Sequence, residues 1–279
     1  MIILKKLLCF LVIILFSIPM ALCEHDAWDC PECGRTGNTG KFCGGCGHPA
    51  PTNDEGSSER TGKKNPEVGD IITFGTYPQT SEGSDQTPIE WIVLDVQDGK
   101  ALLLSKYGLD AKPYNADYID ITWEKCTLRY WLNNDFLRKA FSDKEQSEIL
   151  LTDVDNSAKQ GFDVWKSSGG NNTKDRFFLL SYAEANKYLE VTYNNNNNKK
   201  SRVAPTAYAK TKGADSNSFY RTDDDTAAGW WWLRSSGAGN NQSNAACVYN
   251  SGTLRDHNVS NNRGIVRPAL WVELESEIF

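Results

Sequence analysis

The sequence predicts an α+β domain over residues 67–279, preceded by a short cysteine-rich module. Three observations carry this prediction. Apolar, strand-like runs stand at both ends of the segment, near Ile71–Phe74 and Ile265–Leu274. A two-residue Asp98-Gly99 step joins two β-rich runs, which is a strong short-range hairpin signal. Between these ends lie helix signals with capping residues. Strands at both ends with helices between them favour segregated α+β organisation over an alternating parallel sheet.

Residues 1–23 open with Lys5-Lys6, continue through an apolar stretch to Leu22 and break at Cys23. A basic start, an apolar centre and small residues before a break describe an export signal. The stretch is shorter than the ~20 residues of a comfortable spanning helix, and Pro19 interrupts it. Lysines before it and Glu24, Asp26 and Asp29 after it orient the remaining chain outward. Three ends fit this segment: Cys23 as the lipidated first residue of a lipoprotein, an ordinary cleavage site at Ala21-Leu22-Cys23, or an uncleaved anchor. Leu22 is bulkier than the residue that normally precedes a lipidated Cys. The chain is therefore expected at the cell surface or envelope, or secreted, with membrane attachment through Cys23 in the first case.

Residues 24–48 carry two matching units, Cys30-Pro-Glu-Cys33-Gly and Cys43-Gly-Gly-Cys46-Gly. Each unit can turn tightly and offer two thiolates to one tetrahedral ion, and the following Gly permits the left-handed backbone of that turn. The segment resembles the short zinc-ribbon modules of many bacterial proteins, with structural zinc on Cys30, Cys33, Cys43 and Cys46. Outside the cytoplasm, disulfides compete for the same four residues. Either role is structural, because four Cys ligands leave no open position for a catalytic water. Residues 49–66 are rich in Pro, Gly, Ser and charge, and read as a flexible linker.

The domain proper starts with a strand at Ile71–Gly75, then Ile89–Gln97, the Asp98-Gly99 turn, and Lys100–Ser105. A helix begins at Thr122, with Leu128, Trp131, Leu132, Phe136 and Leu137 on one face. Ser142–Glu145 and Ser181–Glu184 have the spacing of capping boxes for two further helices, the second running to about Leu189. The Asn194–Lys200 run lacks apolar residues and reads as a mobile loop. Trp230–Ser235 opens a β-rich region that closes with Ile265–Leu274, where Pro268 marks an edge strand or a strand start.

Charge and histidine content exclude several functions. The net charge is -6, and loss of residues 1–23, with two Lys and no acid, makes it -8. An acidic chain without a basic run is a poor general nucleic-acid binder, so nucleic acid is not an expected partner. His257 is the sole His of the domain, since His25 and His48 lie before it. A Ser/His/Asp triad using His257 and its neighbour Asp256 exists on paper, and no convincing catalytic constellation emerges.

Five segments in order resemble one bacterial family: Gly69–Gln79 (GDIITFGTYPQ), Ile89-Glu-Trp91, Leu128–Asn133, Trp231–Ser235 (WWLRS) and Val266–Leu270 (VRPAL). This is an uncharacterised family of exported or surface proteins with a C-type-lectin-like fold, and the resemblance runs from about Pro66 to Leu274. It implies antiparallel sheets with two or three helices, and a strand near Ile71–Phe74 paired with the closing strand near Ala269–Leu274. Some members resemble the variable proteins of diversity-generating retroelements, in which adenines of a C-terminal segment are rewritten while the scaffold stays fixed.

Residues 240–263 read as such a recognition segment. They are rich in Asn, and most exceptions are reachable from Asn codons by replacing adenines, although Gln242 is not. The candidate ligand-binding residues are Asn240, Asn241, Ser243, Asn244, Cys247, Tyr249, Ser251, Thr253, Arg255, Asp256, His257, Asn258, Ser260 and Asn261. Tyr249, Arg255, Asp256 and His257 lead the set, because aromatic and Arg side chains give area and directional bonds at interface centres. The expected partner is a protein or glycan ligand at the cell surface. A solvated Asn-rich turn region is the simpler alternative. An enzyme acting on envelope polymers or glycans, or a purely structural envelope protein, are the competing functions.

Weaker signals remain. Cys126 and Cys247 are a candidate disulfide in an oxidising compartment. Asp223–Asp225 is a candidate calcium site without a spaced ligand loop, and the Glu-Pro-Asn sugar-binding motif of calcium-dependent lectins is absent. Trp230–Trp232 are candidates for stacking on sugars, but strand alternation puts at least one of them in the core.

Overall fold

A computed structural model describes residues 35–37, 65–239 and 242–279. The chain divides into two compact units, Met1–Gly62 and Lys63–Phe279. The export signal, Cys23, the four knuckle cysteines, residues 49–64 of the linker, and Asn240 and Asn241 lie outside the described residues.

The second unit is an α+β domain built mainly from antiparallel sheet. Its first sheet has the order β1-β2-β3-β13, with β1 Ile71–Tyr77, β2 Thr87–Gln97, β3 Lys100–Ser105 and β13 Ala269–Glu273. Asp98 and Gly99 both adopt positive φ, 51° and 74°, which is the twist a two-residue hairpin needs. Register slips between Thr73 and Thr76 of β1. Gly75, at φ 68°, sits in that bulge with the Phe141 ring where a side chain would go, so glycine is required there. The expected pairing of β1 with β13 is not formed: β1 pairs with β2, and β13 with β3. The β2–β3 hairpin occupies the middle of the sheet and leaves the two terminal strands on opposite edges. Pro268 immediately precedes β13, so its missing N–H costs the ladder nothing.

The second sheet has the order β11-β10-β9-β12-β4, all antiparallel except the β9–β12 pair. Its strands are β4 Asp110–Ala111, β9 Trp231–Ser236, β10 Asn244–Val248, β11 Leu254–Asn258 and β12 Ile265–Val266. Two small hairpins complete the β structure: β5 Thr152–Val154 with β6 Thr173–Asp175, and β7 Asn217–Arg221 with β8 Ala227–Ala228.

The helix expected from Thr122 begins as a 3-10 turn, Trp123–Lys125, and becomes α1 (Thr127–Trp131) with Cys126 as its N-cap. A π turn, Leu132–Phe136, carries it into α2 (Leu137–Ala140). Leu128, Leu132, Phe136 and Leu137 are buried, as the periodicity required, and Trp131 is half-buried. Both capping boxes form, on α3 (Asp143–Glu148) and α4 (Tyr182–Leu189). Helix α5 (Ala207–Thr211) is capped by Thr206. Trp91, Phe136, Phe141 and Phe177 make a connected aromatic core, with neighbouring ring centroids 5.1–6.5 Å apart. The Asn194–Lys200 run is not wholly free, because Asn198 is buried and its amide donates to the Leu189 and Glu190 carbonyls at 2.8 and 3.0 Å.

Cys126 and Cys247 are both buried free thiols, so the candidate disulfide is not present. Burial pushes the Cys126 thiol up to about 12 and holds Cys247 well above its ordinary value. Trp230, Trp231 and Trp232 are all buried, which removes them from any sugar-stacking surface.

Candidate functional site

The Trp-Trp-Leu-Arg-Ser segment anchors the second sheet. Trp231 Nε1 donates to the Ser201 carbonyl at 3.0 Å, and Trp232 Nε1 to the Lys112 carbonyl at 2.9 Å. Arg234 is buried, and its guanidinium donates to the Glu184 carboxylate, Asn156 Oδ1 and the carbonyls of Leu179 and Asp155. Glu184 is also the capping-box residue of α4, so one carboxylate fixes both a helix start and the central strand. This rigid base carries β10 and the edge strand β11.

Residues opposite one another in a ladder share a face, and successive residues alternate. His257 lies opposite Ala245 and Arg255 opposite Cys247, whereas Asp256 lies opposite Ala246. The structure therefore separates the four leading residues of the sequence reading. His257 packs on Trp230, with centroids 4.3 Å apart, and faces Tyr249 at 6.0 Å. Tyr249 is 36% exposed. Arg255 donates to the Tyr193 carbonyl at 3.2 Å and to its own neighbour's carbonyl, Leu254, at 2.8 Å. Its guanidinium lies over the Tyr193 ring, 4.9 Å from the centroid. Asp256 points the other way and accepts from the Ala238 N–H at 3.1 Å and the Asn244 amide at 3.2 Å. Asp256 thus holds the 237–239 turn against β10, and is less available to a ligand than its neighbours.

The remaining predicted residues divide by burial. Cys247, Ser251 and Thr253 are buried, which corrects their assignment to the surface. Ser251 and Thr253 bond to each other at 2.9 Å inside the β10–β11 turn. Ser243, Asn244, Ser260 and Asn261 are half-buried, and Asn258 is exposed. Asn258 Oδ1 accepts from the Ser260 N–H and Oγ, both at 2.8 Å, so its carboxamide stabilises the following turn. The sequence reading missed an aromatic group beside Arg255. Tyr193, 45% exposed, stacks on Phe162 at 6.1 Å and meets Trp165 edge-on at 6.3 Å. Its signal was one aromatic opening an otherwise polar Asn run.

Electrostatics separate the two faces further. Burial lowers the pKa of His257, opposed by the Asp256 and Asp215 carboxylates, and its Nε2 is buried without a protein partner. A mostly neutral imidazole on a Trp shelf is suited to polar contact and unsuited to strong charge pairing. Its stack on Trp230 and the position of Asp256 across the sheet leave no Ser-His-Asp geometry. Asp223, Asp224 and Asp225 lie exposed on the β7–β8 turn. Among the described residues no group of three or more His, Cys, Asp or Glu side chains is placed to hold a metal ion.

A family model described as a domain of unknown function, DUF6273, matches residues 98–274. The chain belongs to the DUF6273 family. The DUF6273 match starts in the β2–β3 turn and ends just after β13, so it contains the whole second sheet and the Tyr249, Arg255 and His257 face. Strands β1 and β2 lie before it. No curated protein and no solved structure matches the chain.

Proposed function

We propose that the chain is an exported or surface-displayed ligand-binding protein on a C-type-lectin-like scaffold, and that the Tyr249, Arg255 and His257 face is its recognition surface. The observation that carries this reading is the mounting of these side chains. They project from an edge hairpin on which His257 packs against the buried Trp230, and β10 behind Arg255 pairs with β9 at Cys247 and Trp232, so little ordering remains to be done on binding. Tyr193 and Trp165 extend the same surface with amphipathic rings of the kind adaptable binding faces use. The lectin-like reading rests on the sequence motifs and is supported by mainly antiparallel sheets with few helices, in which the terminal strands share one sheet without pairing directly.

In this reading the export signal delivers the domain outside the cytoplasm, with Cys23 as the attachment point if it is lipidated. The two knuckles hold one structural zinc. Variation of residues 240–263 by a retroelement would leave a near-copy of their DNA nearby, differing mainly at adenines, beside a reverse-transcriptase gene. Screening the full domain against glycan and protein arrays tests the function. Saturable binding to a partner supports it, and catalytic turnover of an envelope polymer without stable binding would favour the enzyme reading instead.

A further inference from the structure

A second place in the domain gathers cations, two of them buried arginines without an ion pair among the described residues. A cavity of about 200 Å³ is lined by Lys106, Lys199, Arg202 and Arg267, with Asp223 and Asp224 also contributing. Arg267 is only 2% exposed. Its Nε donates to the Ser105 carbonyl at 2.9 Å, while Nη1 is buried and faces no protein acceptor. The guanidinium lies over the ring of Trp231, 5.0 Å from the centroid. Arg202 is 7% exposed and bonds only to neutral acceptors: the Ser251 and Arg221 carbonyls and Asn197 Oδ1. Among the described residues neither arginine has a carboxylate within ion-pair distance.

A buried ion without a counter-ion is costly, and proteins normally pair it. The domain does so elsewhere, giving Arg234 the Glu184 carboxylate and Arg129 the buried Asp175 at 2.7 Å. Arg202 and Arg267 are exceptions, and both line the same cavity. Burial lowers the Arg267 pKa to about 9, still leaving it charged at neutral pH. The architecture fixes both groups in place. Trp231 takes Arg267 on its face and ties its own Nε1 to the Ser201 carbonyl, next to Arg202. Gly252, at φ 91°, lets the β10–β11 turn approach the Asn198 carbonyl where a side chain would not fit, and Ser201 Oγ donates to its carbonyl at 3.0 Å.

Charge arithmetic indicates the valence of the missing partner. Lys106 and the neighbouring Lys200 already have Glu90 and Glu190 at 3.4 and 2.8 Å. Among the described residues Arg202, Arg267 and Lys199 remain without ion pairs, against the two exposed carboxylates of Asp223 and Asp224. The excess is one positive charge, and the guanidinium fork matches a planar, two-oxygen acceptor. We propose that this cavity binds the carboxylate of a small ligand, with Arg267 and Arg202 as its direct partners. The site is separate from the Tyr249, Arg255 and His257 face and uses none of its side chains.

The test is a titration of the full chain with ¹³C-labelled acetate and glycolate, read by NMR at constant ionic strength, with ³¹P-detected inorganic phosphate as a parallel probe. Saturable carboxylate binding is expected, with phosphate weaker. Arg267→Met should weaken it by at least ~10-fold, the effect of losing a charge-assisted hydrogen bond. The same variant should be at least as stable as the parent in chloride buffer, because it removes an unpaired buried charge. If Arg267→Met does not fold, Arg202→Gln supplies the same comparison. Absence of carboxylate binding, a preference for phosphate, or unchanged binding in a folded variant would overturn the proposal.

Discussion

Removing the Glu184 carboxylate is expected to destabilise the domain by about 3 kcal/mol, toward the lower end of what breaking a buried ion pair costs. The size follows from the geometry. Arg234 has a side chain 2% exposed and makes two charge-assisted bonds to Glu184, so Glu184→Ala leaves a guanidinium buried with neutral acceptors only. The Glu184 side chain is itself 28% exposed, and water entering the gap lowers the cost. Loss of the capping-box bond from the Ser181 N–H, 2.9 Å, adds part of the ~1 kcal/mol that a cap contributes. Urea unfolding at pH 7 measures the sum. Glu184→Gln, which keeps shape and one acceptor, should lose less than Glu184→Ala. A loss under about 1 kcal/mol for Glu184→Ala would refute the claim that this pair anchors β9.

Other outcomes follow from the same structure. Gly75→Ala should cost roughly 2 kcal/mol or more in the same assay, because it combines positive-φ strain with overlap on Phe141. Mass-spectrometric alkylation should leave Cys126 and Cys247 unmodified until urea opens the domain, since burial raises both thiols. Burial lowers the pKa of His257, so the folded state takes up its proton later than the unfolded chain. Stability should therefore be full above about pH 6.5 and fall as pH drops below it, and His257→Phe should flatten that part of the profile. Metal analysis of full-length protein purified under reducing conditions should find one zinc per chain, and two disulfides without zinc would contradict the knuckle assignment.

Local features of the fold were legible because they rest on adjacent residues. Asp98-Gly99, the Ser142 and Ser181 capping boxes and the buried face of Leu128, Leu132 and Phe136 are each encoded within one turn or helix. Strand neighbours are not encoded that way, and the terminal strands were assigned to each other although β2 and β3 stand between them. In the recognition segment, residue type alone groups Asp256 with Arg255 and His257. As an edge strand it alternates, and the alternation sends Asp256 to the opposite face. Cys247 and Thr253 were counted with the surface because their codons fitted variation, whereas packing against β9 and the turn buries them. The Arg202 and Arg267 cavity had no local signature at all, since its cations meet only after the chain has folded.

The most direct test of the recognition surface compares its two faces in one binding assay. Once arrays identify a partner, its capture by the parent domain is measured beside Tyr249→Ala/Arg255→Ala/His257→Ala and beside Asp256→Asn, with folding of each confirmed by circular dichroism. The account predicts that the triple variant loses capture by at least ~100-fold, as loss of central Tyr and Arg contacts does, while Asp256→Asn retains it. Equal capture by the folded triple variant, or loss only in Asp256→Asn, would place recognition elsewhere on the domain.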